Sequence, residues 1–216
     1  MKNTFYTTTF FLSLFLVNGC GEKKIEKENV TPEKKTEPKT CMFALDNNSV
    51  IVNWTAFKLT DKAAVGGAFD SIIVSGIEDN ENIIDAVVNT AFEIYTPSVN
   101  SSNPERDVKL SNSFFGTMNS AESISGAIVS LNKDGTGIVS IKMNGVEKDV
   151  DVNWKVSTEN RFKLSTTINV PDWEAQASLD SLNNVCSLLH TGKDGVSVLW
   201  PDVEIEVIAD FIKTCE

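Results

Sequence analysis

Val139-Ser140-Ile141-Lys142-Met143-Asn144-Gly145-Val146-Glu147-Lys148-Asp149-Val150-Asp151-Val152-Asn153-Trp154-Lys155-Val156 is the stretch that decides the fold. Val139, Ile141 and Met143 alternate with Ser140 and Lys142, and Val150, Val152, Trp154 and Val156 alternate with Asp149, Asp151, Asn153 and Lys155. Successive side chains of a strand point to opposite faces, so each run reads as a strand with one apolar and one solvated face. Between them, Asn144-Gly145 supplies two residues that tolerate positive φ, the requirement of a tight hairpin turn. The stretch is therefore a half-buried antiparallel hairpin.

The same period of two continues in both directions. Phe162, Leu164, Thr166, Ile168 and Val170 oppose Arg161, Lys163, Ser165, Thr167 and Asn169, and Val203, Ile205, Val207 and Ala209 oppose Glu204, Glu206 and Asp210. Toward the N-terminus come Ile124, Gly126 and Ile128. A strand is expected over 86–96, with Ala86, Val88, Thr90, Phe92 and Ile94 on one face. Val65, Gly67 and Phe69 lead into Ile72-Ile73-Val74, and Val50, Val52, Trp54 and Ala56 alternate with Ile51, Asn53, Thr55 and Phe57. Roughly eight or nine strands at hairpin spacing make an all-β antiparallel sandwich or barrel.

Two helices interrupt the strands. Asn103-Pro104-Glu105-Arg106-Asp107 is a helix start, with Asn as N-cap, Pro in the first turn and acids near the positive end of the dipole; the helix should end near Ser113, before Phe114-Phe115. The second runs from Pro171-Asp172-Trp173 to Leu189, with Gly192 as its stop. Its apolar positions Leu179, Leu182, Val185, Cys186 and Leu189 follow a helical period, so it should cap one end of the sheet.

The first forty residues differ from the rest. Met1-Lys2-Asn3 and then Phe10 to Val17 form a positive start and a short apolar run, below the roughly 20 residues that a membrane-spanning helix needs. Residues 1–19 are thus expected to be a secretory signal. Val17-Asn18-Gly19-Cys20 resembles the bacterial lipobox, which implies cleavage before Cys20, diacylglycerol on its thiol and acylation of its amine. Two or more acyl chains hold a protein on a membrane. Residues 21–40, rich in Glu, Lys, Pro and Thr, cannot bury enough apolar surface to order themselves and read as a tether. The expected location is the bacterial cell envelope, lipid-anchored at the outer membrane or the periplasmic face.

The whole chain carries a net charge of −11. Residues 41–216 hold 12 Lys+Arg against 25 Asp+Glu, an acidic balance that repels nucleic acid and excludes it as a partner. Their length suits one domain. With Cys20 acylated, Cys41, Cys186 and Cys215 remain for an oxidising compartment. In a closed antiparallel barrel the first and last strands lie side by side, so Cys41–Cys215 is the expected disulfide; Cys41–Cys186 and Cys186–Cys215 compete with it.

Three pieces carry a family resemblance. One is Val52-Asn53-Trp54-Thr55-Ala56-Phe57-Lys58 with Val65-Gly66-Gly67-Ala68-Phe69. A second, the most specific, is Ser98 to Leu110, with Asn103, Arg106 and Asp107, followed by Phe114-Phe115. The third is Gly137 to Val150 around Asn144-Gly145. Together, over about 46–170, they resemble the YceI-like family, the lipocalin-like polyisoprenoid-binding proteins. Beyond Pro171 the chain departs from that pattern, placing the Trp173–Leu189 helix where family members carry a short aromatic loop.

The resemblance implies an eight-stranded lipocalin-like barrel with an apolar tunnel for a long isoprenoid, such as a polyprenyl phosphate or a quinone tail. Inward candidates are Trp54, Phe69, Val88, Phe92 and Ile94 from the first half, Val150, Val152, Trp154, Phe162, Leu164 and Ile168 from the middle, and Val203, Ile205 and Val207 from the last strand. An apolar interior belongs to every barrel, and the same residues would also fill a dry core. Phe114 and Phe115 either close a barrel end or grip the ligand. Arg106 is a candidate contact for a headgroup phosphate, although with Asp107 it more readily orders its own helix.

No Cys-x-x-Cys, His cluster or glycine-rich phosphate loop appears, so neither a metal nor a cofactor is expected. His190, the single histidine, stands four residues after Cys186 on one helix face. A core or disulfide role for Cys186 and a helix-terminal role for His190 outweigh a thiol nucleophile with its base, and no enzymatic activity is expected. The functional reading is carriage of an isoprenoid-type lipid, or else a ligand-free envelope platform.

Overall fold

The computed structural model describes residues 39–216. The expected signal over 1–19, Cys20 and all but the end of the tether lie outside the described residues. Strands β1 (Cys41–Leu45), β2 (Ile51–Lys58), β3 (Ala63–Phe69) and β4 (Ile72–Ser75) precede helix α1 (Ile83–Val87). Then come β5 (Ala91–Tyr95), β6 (Val99–Asn100) and helix α2 (Pro104–Lys109). Strands β7 (Ser123–Leu131), β8 (Thr136–Met143), β9 (Val146–Val156) and β10 (Arg161–Asn169) form a meander. Helices α3 (Gln176–Val185) and α4 (Ser187–His190) and the long β11 (Leu199–Cys215) complete the chain. Every strand, both apolar clusters and the disulfide belong to the compact unit Pro38–Glu216, which therefore contains what it needs to fold by itself.

The strands form one antiparallel sheet in the order β4-β5-β7-β8-β9-β10-β11-β2-β3-β6, with β1 against β11. Its two ends are the same pair of strands. Only Asp70-Ser71 separates β3 from β4, and only a 3₁₀ turn, Thr96–Ser98, separates β5 from β6. Across the break, Asp70 N–H donates to Ser98 O and Tyr95 N–H to Ser71 O, both at 3.0 Å. Taken as single strands, β3–β4 and β5–β6 close a curled, lipocalin-like sheet of eight strands, β1 lying outside the ring. That is the expected count. The Asn144-Gly145 turn is as read: both residues have positive φ, 53° and 78°, and Met143 stands opposite Val146.

The strand expected over 86–96 exists only from Ala91 onward. Asn82 Oδ1 accepts from Ile84 N and caps α1, which buries Ile83, Ala86 and Val87 at helical spacing. Ala86 and Val88 also fit a period of two, and tertiary burial selects the helix. Val88 is the extended residue after it, and Asn89, at φ 68°, turns the chain into β5.

The first helix begins as expected: Asn103 Oδ1 accepts from Arg106 N, with Pro104 in the first turn. It runs on through a π turn, Leu110–Phe114, and a 3₁₀ turn, Phe115–Thr117. The expected second helix is broken at Cys186 into α3 and α4. Leu179, Leu182 and Cys186 are buried, each apolar side chain contributing roughly 1.5–3 kcal/mol. Val185 and Leu189, also expected to face inward, are 49% and 58% exposed: Val185 lies at the edge of the stripe that Leu179 and Leu182 bury, and Leu189 belongs to α4, past the break. Gly192 is not the stop: α4 ends at His190, before extended Thr191, and the left-handed glycine is Gly195.

Cys41 and Cys215 are joined, and Cys186 is free and buried. The antiparallel register of β1 and β11 sets Cys41 directly opposite Cys215, which excludes the two competing pairings.

Candidate functional site

Two apolar clusters fill the curled sheet. One gathers Trp54, Phe69, Val99, Phe115, Trp173 and Leu179 beneath α3, and the other gathers Ile83, Val87, Val139, Phe162, Ala209 and Phe211 beside α1. Between and within them the interior is not solid. A cavity of about 150 Å³ runs from Leu45, Val87 and Phe211 to Phe69 and Ile205. A second, of about 100 Å³, lies between Trp54, Phe114, Phe115 and Leu179. Both have Phe69, Ile124, Met143, Ile168 and Ile205 in their walls, so these five side chains form a neck between two lobes.

The larger lobe has no charged side chain in its lining, and its only polar ones are Thr90 and Thr166. Both hydroxyls are spent on backbone, Thr90 Oγ1 donating to Ala86 O and Thr166 Oγ1 to Asp151 O. A polar group placed there would lose its hydration without a partner, at a cost of roughly 1–3 kcal/mol. The space therefore accepts hydrocarbon and rejects headgroups.

The expected lining residues are distributed over the two lobes. Phe92, Ile94, Val152, Phe162, Leu164 and Val207 line the larger lobe, Trp54, Phe114, Phe115 and Val203 the smaller, and Phe69, Ile168 and Ile205 both. Phe114 and Phe115 close the end under α3, their rings edge-to-face at 4.9 Å.

Three expected residues lie elsewhere. Val88 is displaced by α1, and Val87 lines the lobe instead. Val150 is partly buried against the cluster but outside both lobes. Trp154 stacks on Phe162 at 6.4 Å and donates its indole N–H to Thr136 O, so it covers the strand margin. Ile124, Ile128, Val139, Ile141 and Met143 line the cavity and were legible in the same alternation, though absent from the expected lining. Leu45 reaches it only through the β1–β11 pairing, which no local pattern announces, while Val50 and Phe211 continue the inward alternations of β2 and β11.

Outside the smaller lobe lies a third pocket, of about 250 Å³, between β2, α2 and α4. Trp54, Ala56, Leu110, Leu182 and Leu199 are common to both, so one apolar wall separates them. Its outer rim is polar: Lys58, Asn103, Glu105, Arg106, Lys109 and His190. Arg106 does order its own segment, Nε donating to Ser101 Oγ at 2.9 Å and Nη2 to Ser101 O, while Asp107 accepts from Ser101 N–H. Lys58 Nζ donates to Leu189 O at 3.1 Å and pins α4 to β2. His190 Nδ1 pairs with Asn183 Oδ1 at 2.9 Å. Burial, then Lys58 and Lys109, hold the imidazole below the usual histidine range.

Cys186 and His190 line this pocket together, as their spacing predicts. Among the described residues no hydrogen bond joins thiol to imidazole, and no cluster of three or more His, Cys, Asp or Glu side chains could hold a metal.

No curated protein sequence is significantly similar to the chain. Several solved structures share its fold. A polyisoprenoid binding domain from Saccharophagus degradans, implicated in plant cell wall breakdown, superposes with a TM-score of 0.54 at 14% identity, over 81% of this chain and 98% of that one. Burkholderia cenocepacia BcnA superposes with a TM-score of 0.52 at 10% identity, over 76% and 96%. The Campylobacter jejuni YCEI protein gives 0.44 at 18% identity, over 71% and 86%. The YceI-like domain model matches residues 43–211, which extends the resemblance past Pro171 and across α3, α4 and β11. The chain belongs to the YceI-like family.

Proposed function

We propose that this protein binds the hydrocarbon of an isoprenoid-type lipid inside the curled sheet and carries or buffers it at the bacterial cell envelope. The observation that supports this most is the larger lobe, an interior space walled by hydrocarbon with every hydroxyl already bonded. A flexible chain gains roughly 0.8 kcal/mol per buried CH₂ there, without any polar contact. The polyisoprenoid binding domain from Saccharophagus degradans has the same fold, which favours an isoprenoid over a straight chain. In this reading Cys20 is acylated and residues 21–40 tether the domain to the membrane. Ligand binding, with no bond made or broken, is the whole of the activity.

The dimensions limit what enters without rearrangement. A dry cavity of about 150 Å³ lined by Leu, Ile and Phe holds a benzene, so the larger lobe takes roughly six carbons, about one isoprene unit. A longer chain must part the neck at Met143 and Ile205. The neck is also the observation that favours the second reading, a filled barrel serving as a rigid platform.

Native mass spectrometry separates the two. Residues 38–216 are purified from bacterial periplasm without detergent, weighed, and extracted. A stoichiometric adduct that extracts as a polyprenol, its phosphate or a quinone is expected. A bare protein mass that stays bare after incubation with long isoprenoids would leave the platform reading standing.

A further inference from the structure

We infer that residues 76–89 form a hinged lid over the larger lobe, latched to β1, and that a prenyl chain enters there, at the end of the sheet away from α3. This rests on the hydrocarbon-binding reading above and names the entry route for it.

The segment closes one end of the lobe with apolar side chains. Ile77 and Val87 line the space beside Leu45 and Phe211, and Ile83 and Ala86 are buried in the adjoining cluster. Its outer side is different. Glu78, Asp79, Glu81 and Asp85 are exposed, and the segment contains no Lys or Arg. Among the described residues none of these acids forms an ion pair. Like charges repel, so nothing on the outer side holds the segment down.

The two ends of the segment are placed to act as one hinge. Gly76 and Asn89 both have left-handed backbone, with φ of 77° and 68°. They also adjoin: a Cβ on Gly76 would stand 3.6 Å from Asn89 O. Asn89 N–H donates to Ile128 O at 2.9 Å and fixes this pivot to β7. A surface segment whose ends meet is an Ω-loop, and rotation at a few terminal residues moves such a piece as a unit. Here the unit contains α1, which is bonded within itself and capped by Asn82. Swinging it out unfolds nothing.

The latch is small. Apart from bonds to Thr90 beside the pivot, residues 77–88 make two hydrogen bonds to the other described residues. Phe43 N–H donates to Asn80 O at 2.8 Å, and Asn80 N–H donates to Phe43 O at 3.2 Å. The α3 end is held more firmly. There the Trp173 indole N–H donates to Ile141 O, Asn144 Nδ2 to Trp173 O, Thr117 Oγ1 to Ser178 Oγ and Lys58 Nζ to Leu189 O. Opening that end also uncovers Trp173, which is 1% exposed. Opening the α1 end separates one backbone pair, whose groups then bond to water. The route of lower cost runs past α1.

Phe43 and Asn80 exchange both backbone bonds, so they form a directly opposed antiparallel pair. Such a pair has α-carbons about 5.5 Å apart, a spacing that a disulfide spans. Phe43→Cys with Asn80→Cys therefore locks the lid when oxidised and frees it when reduced. Farnesol uptake by residues 38–216 is timed by rapid mixing with tryptophan fluorescence, for both forms and for the wild type with and without the same reductant. The oxidised double variant should take up farnesol at least tenfold more slowly than its reduced form, while the wild-type rates stay within twofold of one another. Equal rates in the two forms of the variant, or an equal change in the wild type, overturn the entry route. Hydrogen exchange on the unsubstituted domain is the second measurement. The amides of Phe43, Asn80, Ala86 and Val88 should exchange together, as one opening unit, and before those of α3. Exchange of α3 ahead of them overturns the lid. Failure of farnesol to bind the wild type counts against the hydrocarbon reading instead, and the exchange order still decides which end opens.

Discussion

Trp54 lies against the bare backbone of Gly67: a Cβ on Gly67 would stand 2.4 Å from Cζ2 of Trp54 and 2.5 Å from Asn100 O, and the indole N–H donates to Ala68 O at 3.3 Å. One wall of the smaller lobe depends on this contact. Gly67→Ala should therefore cost about 1–3 kcal/mol by overpacking. Gly66→Ala is the control, since its Cβ would meet nothing closer than 3.4 Å. Urea denaturation of both variants checks the contrast, and equal midpoints would contradict it.

Met143 is buried in the neck between the lobes. Met143→Ala removes side-chain volume there and merges the two spaces, at a cost of about 2–5 kcal/mol. Uptake of a two-unit or three-unit prenyl chain should rise even as the urea midpoint falls. A variant that loses stability and binds no better would place the ligand elsewhere.

The Cys41–Cys215 bridge closes a loop with a sequence separation of 174. Chain entropy assigns such a crosslink about 5 kcal/mol. Cys215→Ser should lower stability by that order, measured by denaturation under oxidising conditions. Cys186, free and buried, should resist thiol reagents until the chain unfolds. Rapid labelling of Cys186 in the folded protein would show that reagents reach it through the pocket it lines with His190.

His190 sets an acid limit. Its imidazole is held below the ordinary value of 6.5, chiefly by burial. As pH falls past 6.5 the unfolded chain takes up the proton first, so stability complete above that point is lost through the window below it. Asp134, Asp194 and Asp210, held below 3.8 by Thr136, Thr60 and Arg161, act in a separate and lower window. The urea midpoint should decline from about pH 6.5, and His190→Gln should remove that decline while keeping the one below pH 4. An unchanged slope in the variant would assign the acid sensitivity to another group.

Much of this architecture is written in local pattern. Alternation alone places Val152, Phe162, Leu164, Ile205 and Val207 inside, because a strand has only two faces and the interior has only apolar ones to receive. Asn144-Gly145 and the Asn103 cap are legible for the same kind of reason: positive φ and an uncapped helix end each admit few residue types. The family resemblance was likewise carried by contiguous segments.

Tertiary contact decided the rest. Whether Ala86 to Val88 become strand or helix depends on what they pack against, since Ala86 and Val88 also fit a period of two. The partner of Cys41 follows from the β1–β11 register, which spans nearly the whole domain. Lys58, Arg106, Lys109 and His190 come from β2, α2 and α4, and no spacing in the chain foretells that they share a pocket. Local sequence determines which way a side chain faces; only closure of the sheet determines what it meets there.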